Sequence, residues 1–279
     1  MRILITGGHG NIASMIVRNL SKYYDIVNPS HSELDLTDAP ALTQFLDRSA
    51  PFDILIHTAV IGGRRTKSET GQIVFENLLM LENILQHSHK FKMILHFDSG
   101  AIYDRNTDIL NRAEHELNTV PTDYYGFSKY VIYQRSLQYS HFYNLRVFNI
   151  FHTNEEPDRF IQSCFIAKRS QREITIFKDK FFDFVYETDF IRIVKYYIDN
   201  VHRPDILEKT VNVCYDKKYK LSDIARIIFP DGQINIIDGV LDRNYCGSNE
   251  NLSKMNIGSL DGLEKSLILY EHESRSLHS

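Results

Sequence analysis

The chain has 279 residues, with 32 Lys+Arg against 36 Asp+Glu and a formal net charge of -4 at pH 7. A hydrophobic share of 43% with 24% charged residues excludes a wholly disordered chain, and the weak negative balance leaves no overall basic face for nucleic acid. At roughly 150 residues per unit, the length fits one large α/β domain with an appended lobe.

Arg2 to Thr6 reads as a first buried strand, and Asn11 to Lys22 as a helix with Ile12, Ile16 and Leu20 recurring every fourth residue. Asp25 to Val27 is a short second strand. Pro40 to Arg48 is helical, its proline tolerated in the first turn. Asp53 to His57 is a further strand, Gln72 to His87 a long helix, Met93 to Phe97 a strand and Tyr124 to Tyr139 a helix. Leu145 to Ile150 closes the sheet series. Strands alternating with helices in this way predict a Rossmann-type, doubly wound parallel sheet. After Ile150 the segments shorten, with helical pieces at Phe160 to Arg169, Asp189 to Asn200 and within Ser259 to Glu273. The division expected is a dinucleotide-binding domain over 1–150 and a smaller mixed α/β substrate lobe over 151–279.

Cys164, Cys214 and Cys246 are odd in number and widely spaced, without metal-ligand spacing, which suits a reduced compartment. The opening apolar run meets glycine too soon for a signal peptide, and no stretch reaches the roughly 20 apolar residues of a membrane span. The expectation is a cytoplasmic protein with no metal and no membrane or nucleic-acid partner.

Between the first strand and first helix stands Thr6-Gly7-Gly8-His9-Gly10-Asn11-Ile12-Ala13. Gly7 allows the tight turn, Gly10 lets a pyrophosphate approach the backbone, and Ala13 keeps the helix close to the sheet. The helix start at Asn11 and Ile12 then offers free N–H groups to the anion. Downstream, Asp35 is placed to accept a hydrogen bond from an adenine amino group with Leu36 against the ring, while Thr37 or Asp38 caps the next helix. The end of the second strand, Val27-Asn28-Pro29-Ser30-His31, lacks the carboxylate that holds a ribose 2′-hydroxyl, so NADP(H) is preferred over NAD(H).

Tyr125-Gly126-Phe127-Ser128-Lys129 sets a phenol and an ammonium one helical turn apart. A phenol near pKa 10 transfers protons at neutral pH only if its anion is favoured, and Lys129 beside it supplies the charge. Ser99, on the loop after a strand, is placed to hydrogen-bond the reacting oxygen. Such a trio serves hydride transfer to or from a carbonyl.

Together with Leu34 to Asp38, His57-Thr58-Ala59, Asn77, Tyr103, Leu145 to Asn149 and Phe182 to Asp189, these motifs resemble the extended short-chain dehydrogenase/reductase family. The resemblance runs over essentially the whole chain. It implies an NAD(P)-dependent enzyme acting on a nucleotide-diphosphate sugar, with Ser99, Tyr125 and Lys129 as the catalytic set. It also implies dinucleotide contacts from Gly7, Gly10, Asn11, Ile12, His31, Asp35, Leu36, Thr58, Ala59, Val60 and Asn77. For the substrate it points to Ser99, Gly100, Asn149, Arg159, Lys168 and Arg243, with Arg64 and Arg65 on a bordering loop. His152 stands where the family usually has glycine, and Phe182 where it often has arginine.

Within the family the chain is most similar to GDP-L-fucose synthase-like nucleotide-sugar 4-ketoreductases. The cysteine and histidine that epimerise the sugar there are Ala101 and Arg159 here, and neither serves as acid or base at neutral pH. The reading is an NADP(H)-dependent 4-ketoreductase without the epimerase step, and a homodimer formed through the helices from Gln72 and Tyr124. A 4-epimerase with tightly bound NAD stays open, as do a decarboxylase and a non-catalytic cofactor-sensing protein. Gly100-Ala101 replaces the Asp-Glu pair that a 4,6-dehydratase carries.

Overall fold

The computed structural model describes residues 1–63 and 68–276; Arg64 and Arg65 lie outside the described residues. The first half of the chain supplies β1 (Arg2–Thr6), α1 (Asn11–Leu20), β2 (Asp25–Val27), α2 (Ala39–Arg48), β3 (Ile54–His57) and α3 (Gln72–Gln86). It continues with β4 (Met93–Ser99), β5 (Ile109–Arg112), α4 (Tyr124–Ser136) and β6 (Phe142–Val147). Then come β7 (Ile150–Phe151), α5 (Phe160–Arg169), β8 (Ile174–Lys178), β9 (Val185–Tyr186), α6 (Glu187–Asp199) and β10 (Thr210–Val213). The chain closes with α7 (Leu221–Ile228), β11 (Ile234–Asp238), β12 (Tyr245–Gly247), α8 (Glu250–Lys254) and α9 (Gly262–Ser276).

Six of these strands form one parallel sheet in the order β10-β6-β4-β3-β1-β2, as the strand–helix alternation predicts. Its strands are apolar on both faces because helices cover both. Ile3, Ile5, Ile54, Ile56 and Leu95 face one core, and Leu4, Leu55 and Ile94 face the other with Leu42, Leu81 and Ile84 of α2 and α3. α2 starts where it should: Asp38 is the N-cap, accepting from the Ala41 N–H at 2.9 Å, with Pro40 in the first turn.

Three expectations are corrected. Leu145 to Ile150 does not close the sheet, since β10, contributed by residues 210–213, adds a sixth strand beside β6. β6 itself ends at Val147, and Ile150–Phe151 leaves to pair with β9. β4 runs two residues past Phe97 because Asp98 lies opposite Arg146 of β6 and forms a buried ion pair with it at 2.8 Å. α4 stops at Ser136, whose hydroxyl turns back to the Tyr133 carbonyl and accepts from the Asn144 side chain.

All six strands end at one edge, so Thr6, His57, Ser99 and Val147 finish side by side. Open parallel sheets bind their ligands at this edge. Among the described residues, no helix is long and apolar enough to cross a membrane.

Candidate active site

The glycine turn lies at the strand edge, between β1 and α1. Gly7 sits at φ +80°, and a Cβ there would stand 2.8 Å from the Ala59 nitrogen and the Thr58 hydroxyl. Only glycine reconciles that backbone with that crowding. Gly10 is the N-cap of α1; its N–H bonds to the Gly7 carbonyl at 2.8 Å, and among the described residues no side chain caps the helix. The first turn carries no acidic residue, and His9, Gly10 and Asn11 are exposed. An open helix N-terminus with no carboxylate in it and no side chain at the cap fits a dinucleotide's pyrophosphate.

Around this cradle the predicted contacts divide. Thr58, Ala59 and Val60 follow β3 directly, Thr58 donating to the Thr6 carbonyl at 2.6 Å. His31 is exposed, its Nδ1 4.0 Å from Asp35. Asp35 accepts from the Thr37 hydroxyl and N–H at 2.7 and 2.8 Å, which lowers its carboxyl below the usual range. Leu36 is core, only 4% exposed, so the adenine face assigned to its side chain is already occupied by protein. Asn77 is also spoken for: its amide accepts from the Ile61 N–H (2.8 Å) and donates to the Ile61 carbonyl (2.9 Å), bracing the loop after β3. Sequence reasoning passed over Glu33, whose carboxylate accepts from both the N–H and the hydroxyl of Ser30 at 2.7 Å.

Ser99, Tyr125 and Lys129 converge. Ser99 ends β4, its N–H donating to Asp98 at 2.8 Å and its hydroxyl accepting from the Ala101 N–H at 3.2 Å. α4 presents Tyr125 and Lys129, and its N-cap Asp123 accepts from the Gly126 N–H. Burial raises the Tyr125 phenol above its ordinary value, opposed first by hydrogen bonding to Ser99. Lys129 is 2% exposed, and burial draws its ammonium down to about 8, with Asp98 working against the shift. Its Nζ donates to the Phe97 carbonyl at 2.6 Å and stands 3.4 Å from His96 Nε2, so it points to β4; it lies 5.9 Å from the Tyr125 ring centroid.

Among the described residues, a cation acting on the phenol that the sequence did not flag is Arg105, 5.8 Å from the Tyr125 ring centroid and ion-paired to Asp123. A cleft of about 560 Å³ opens beside it, lined by Arg105, Asp123, Lys180, Asp242, Arg243 and Tyr245 among others. The structure thus brings Arg243 into the cleft beside Arg105. Asn149 and Arg159 also come together, the guanidinium donating to the Asn149 side-chain oxygen at 2.9 Å. Lys168 does not join them: it sits in the last turn of α5 and is ion-paired to Glu271 of α9 at 2.8 Å. Gly100 serves packing, since a Cβ there would stand 2.6 Å from the Phe148 ring. His152 is buried rather than lining an open pocket.

The sequence pattern of the NAD dependent epimerase/dehydratase family matches residues 3–214. A GDP-L-colitose synthase of Yersinia pseudotuberculosis is 29% identical over 113 residues, 39% of this chain and 36% of that protein. The match therefore spans about a third of that relative's length. A putative UDP-glucose 4-epimerase of Methanocaldococcus jannaschii is 26% identical over 259 residues, 81% of each chain. Among solved structures, a GDP-mannoheptose C4 reductase from Campylobacter jejuni with NADP bound superposes with a TM-score of 0.76 at 18% identity, covering 97% of this chain and 98% of that one. That likeness bears on the fold.

Proposed function

This chain belongs to the NAD dependent epimerase/dehydratase family, and from that membership we propose that it is an NADP(H)-dependent reductase of a nucleotide-linked 4-keto sugar. The observation that carries the reading is the convergence of Ser99, Tyr125 and Lys129 at the strand edge, beside an α1 N-terminus left open for a diphosphate. Ala101 and Arg159, standing where an epimerising pair is expected, favour reduction alone. Ser30 and His31 after β2 favour the 2′-phosphorylated cofactor, and Glu33 is already engaged by Ser30.

When bound, the dinucleotide supplies the hydride that adds at C4. Tyr125 does the proton work. Burial keeps the phenol protonated at neutral pH while the Ser99 hydrogen bond and the Arg105 charge favour its anion, and it delivers the proton to the C4 oxygen as negative charge grows there. Ser99 donates a hydrogen bond to the same oxygen and orients it. Lys129 has two N–H groups directed to β4 and one left for the cofactor ribose. Asn149, with Arg159 and Arg243 from beyond residue 150, holds the nucleotide diphosphate, and Arg105 borders the sugar beside Tyr125.

The 4-epimerase remains a second reading because the relative with the fuller alignment carries that name. The two separate on the cofactor in purified protein. A reductase releases no stoichiometric dinucleotide on denaturation and binds added NADPH reversibly; one equivalent of tightly held NAD identifies the epimerase instead.

A further inference from the structure

Five adjacent strands of the main sheet each place a polar residue at one level. Thr6 of β1 is in register with His57 of β3, His57 with His96 of β4, His96 with Asn144 of β6 and Asn144 with Thr210 of β10. All five are buried. A parallel sheet covered by helices ordinarily fills such positions with Val, Ile or Leu. α4 crosses this row, setting Lys129 against His96 and Ser136 against Asn144.

We infer that His96 is a positioning residue for Lys129, its Nε2 and the Phe97 carbonyl together seating two of the three ammonium N–H groups and aiming the third at the ligand side. An ammonium has three donors and no acceptor, so it needs a neutral histidine with a free lone pair at Nε2. The surroundings keep the ring neutral. Burial, then the Lys129 charge, hold both His57 and His96 well below the ordinary value of 6.5, so neither ring is protonated at neutral pH. With Nε2 accepting, the ring proton sits on Nδ1. His57 supports the arrangement: it stacks on His96 at 5.3 Å with 28° between the rings, and its Nδ1 is 2.8 Å from the Thr6 hydroxyl. Thr6 immediately precedes Gly7, so one polar row links the Lys129 seat to the glycine turn.

Among the described residues, four titratable groups face Lys129. Asp98 on β4 favours its ammonium, His57 and His96 lie beneath it, and Tyr125 precedes it on α4. His96 is the one whose removal takes away an acceptor without adding or deleting a charge. Hydrogen bonding to the charged form favours that form, so losing the acceptor makes Lys129 easier to deprotonate.

The inference rests on Lys129 belonging to the proposed reductase site, yet its test needs no substrate. The lysines are labelled with ¹³C at Cε, the Lys129 signal is assigned by its loss in Lys129→Arg, and the protein is titrated without ligands. His96→Phe keeps an aromatic ring beside His57 but removes the acceptor; His96→Asn restores an acceptor. The Lys129 midpoint is expected to fall by about half a unit to one unit in His96→Phe, the worth of one ordinary hydrogen bond, and to recover in His96→Asn. An unchanged midpoint in folded His96→Phe overturns the inference, as does a fall in His96→Asn equal to that in His96→Phe. NADP(H) affinity measured on the same variants reads the reductase proposal separately: wild-type protein that binds no dinucleotide defeats the proposal and leaves the Lys129 titration still able to decide the role of His96.

Discussion

Behind Ser99 lies a fully buried ion pair. Asp98 and Arg146 are 1% and 0% exposed at the side chain and pair at 2.8 Å. Asp98→Ala leaves the guanidinium buried without its counter-ion. Breaking a buried pair by removing one partner costs about 3–5 kcal/mol. Arg146 keeps the Tyr103 hydroxyl (2.5 Å) and the Glu114 carbonyl (3.1 Å), and lies over the Tyr103 and Tyr133 rings at 4.7 and 5.1 Å. Those contacts place the expected loss at the low end, about 3 kcal/mol, or roughly 6–12 °C in Tm for a chain of this size. The pair is not there for raw stability, however. Asp98→Leu combined with Arg146→Met removes both charges and is expected to regain most of the loss. The chain has no tryptophan, so urea unfolding is followed by far-UV circular dichroism. A loss under about 1 kcal/mol in Asp98→Ala, or a double variant as unstable as the single one, refutes the account of a charge stranded in the core.

Other outcomes follow from the same geometry. Gly10 has a negative φ and a Cβ there meets nothing nearer than the Gly7 carbonyl at 3.2 Å, so Gly10→Ala is expected to fold with Tm nearly unchanged yet bind NADPH at least about tenfold more weakly in a fluorescence titration, about 1.4 kcal/mol; unaltered affinity removes the diphosphate from this turn. His57, drawn down to about 3, and His96 contribute nothing above pH 6.5, where folded and unfolded chains both hold them neutral. Below 6.5 the unfolded chain takes up protons that the folded one refuses, so stability falls with pH by about 1.4 kcal/mol per unit for each histidine. His96→Phe is expected to flatten that slope by one proton between pH 6.5 and 5, and an unaltered slope contradicts the burial argument. α3 and α4 leave Phe75, Tyr124 and Phe127 exposed at 60, 48 and 37%. A homodimer through that face is expected in sedimentation at micromolar concentration, with Phe75→Glu monomeric; a monomeric wild type ends that expectation.

Much of the scaffold was legible because short apolar runs punctuated by glycine leave little choice. Arg2 to Thr6 had to be a buried strand, and Gly7 to Ala13 the turn that follows it. The trio of Ser99, Tyr125 and Lys129 was readable because one helical turn separates the last two and a strand end delivers the first. What stayed hidden was pairing. Thr210–Val213 is short and half polar, and nothing local says that it returns to β6 from beyond residue 150. Asp98 and Arg146, like His57 and His96, look like surface residues until the sheet register places them opposite each other. Asn77 and Lys168 had suitable chemistry, but whether an amide or an ammonium is free for a ligand depends on partners, here Ile61 and Glu271, that lie 16 and 103 residues away. Arg105 escaped because its closeness to Tyr125 arises from a loop, with no periodicity to mark it.

The central claim is that Tyr125 delivers the proton as a 4-keto nucleotide sugar is reduced. Its most direct test is NADPH consumption at 340 nm with nucleoside-diphosphate-linked 4-keto-6-deoxyhexoses, the product mass read in parallel, in wild-type and Tyr125→Phe protein. Wild type is expected to oxidise NADPH and yield a product two hydrogens heavier, while Tyr125→Phe binds NADPH with undiminished affinity and turns over at least about a hundredfold more slowly, the share that a positioned acid contributes. Full turnover in Tyr125→Phe, or no NADPH oxidation by the wild type with any such sugar, contradicts it.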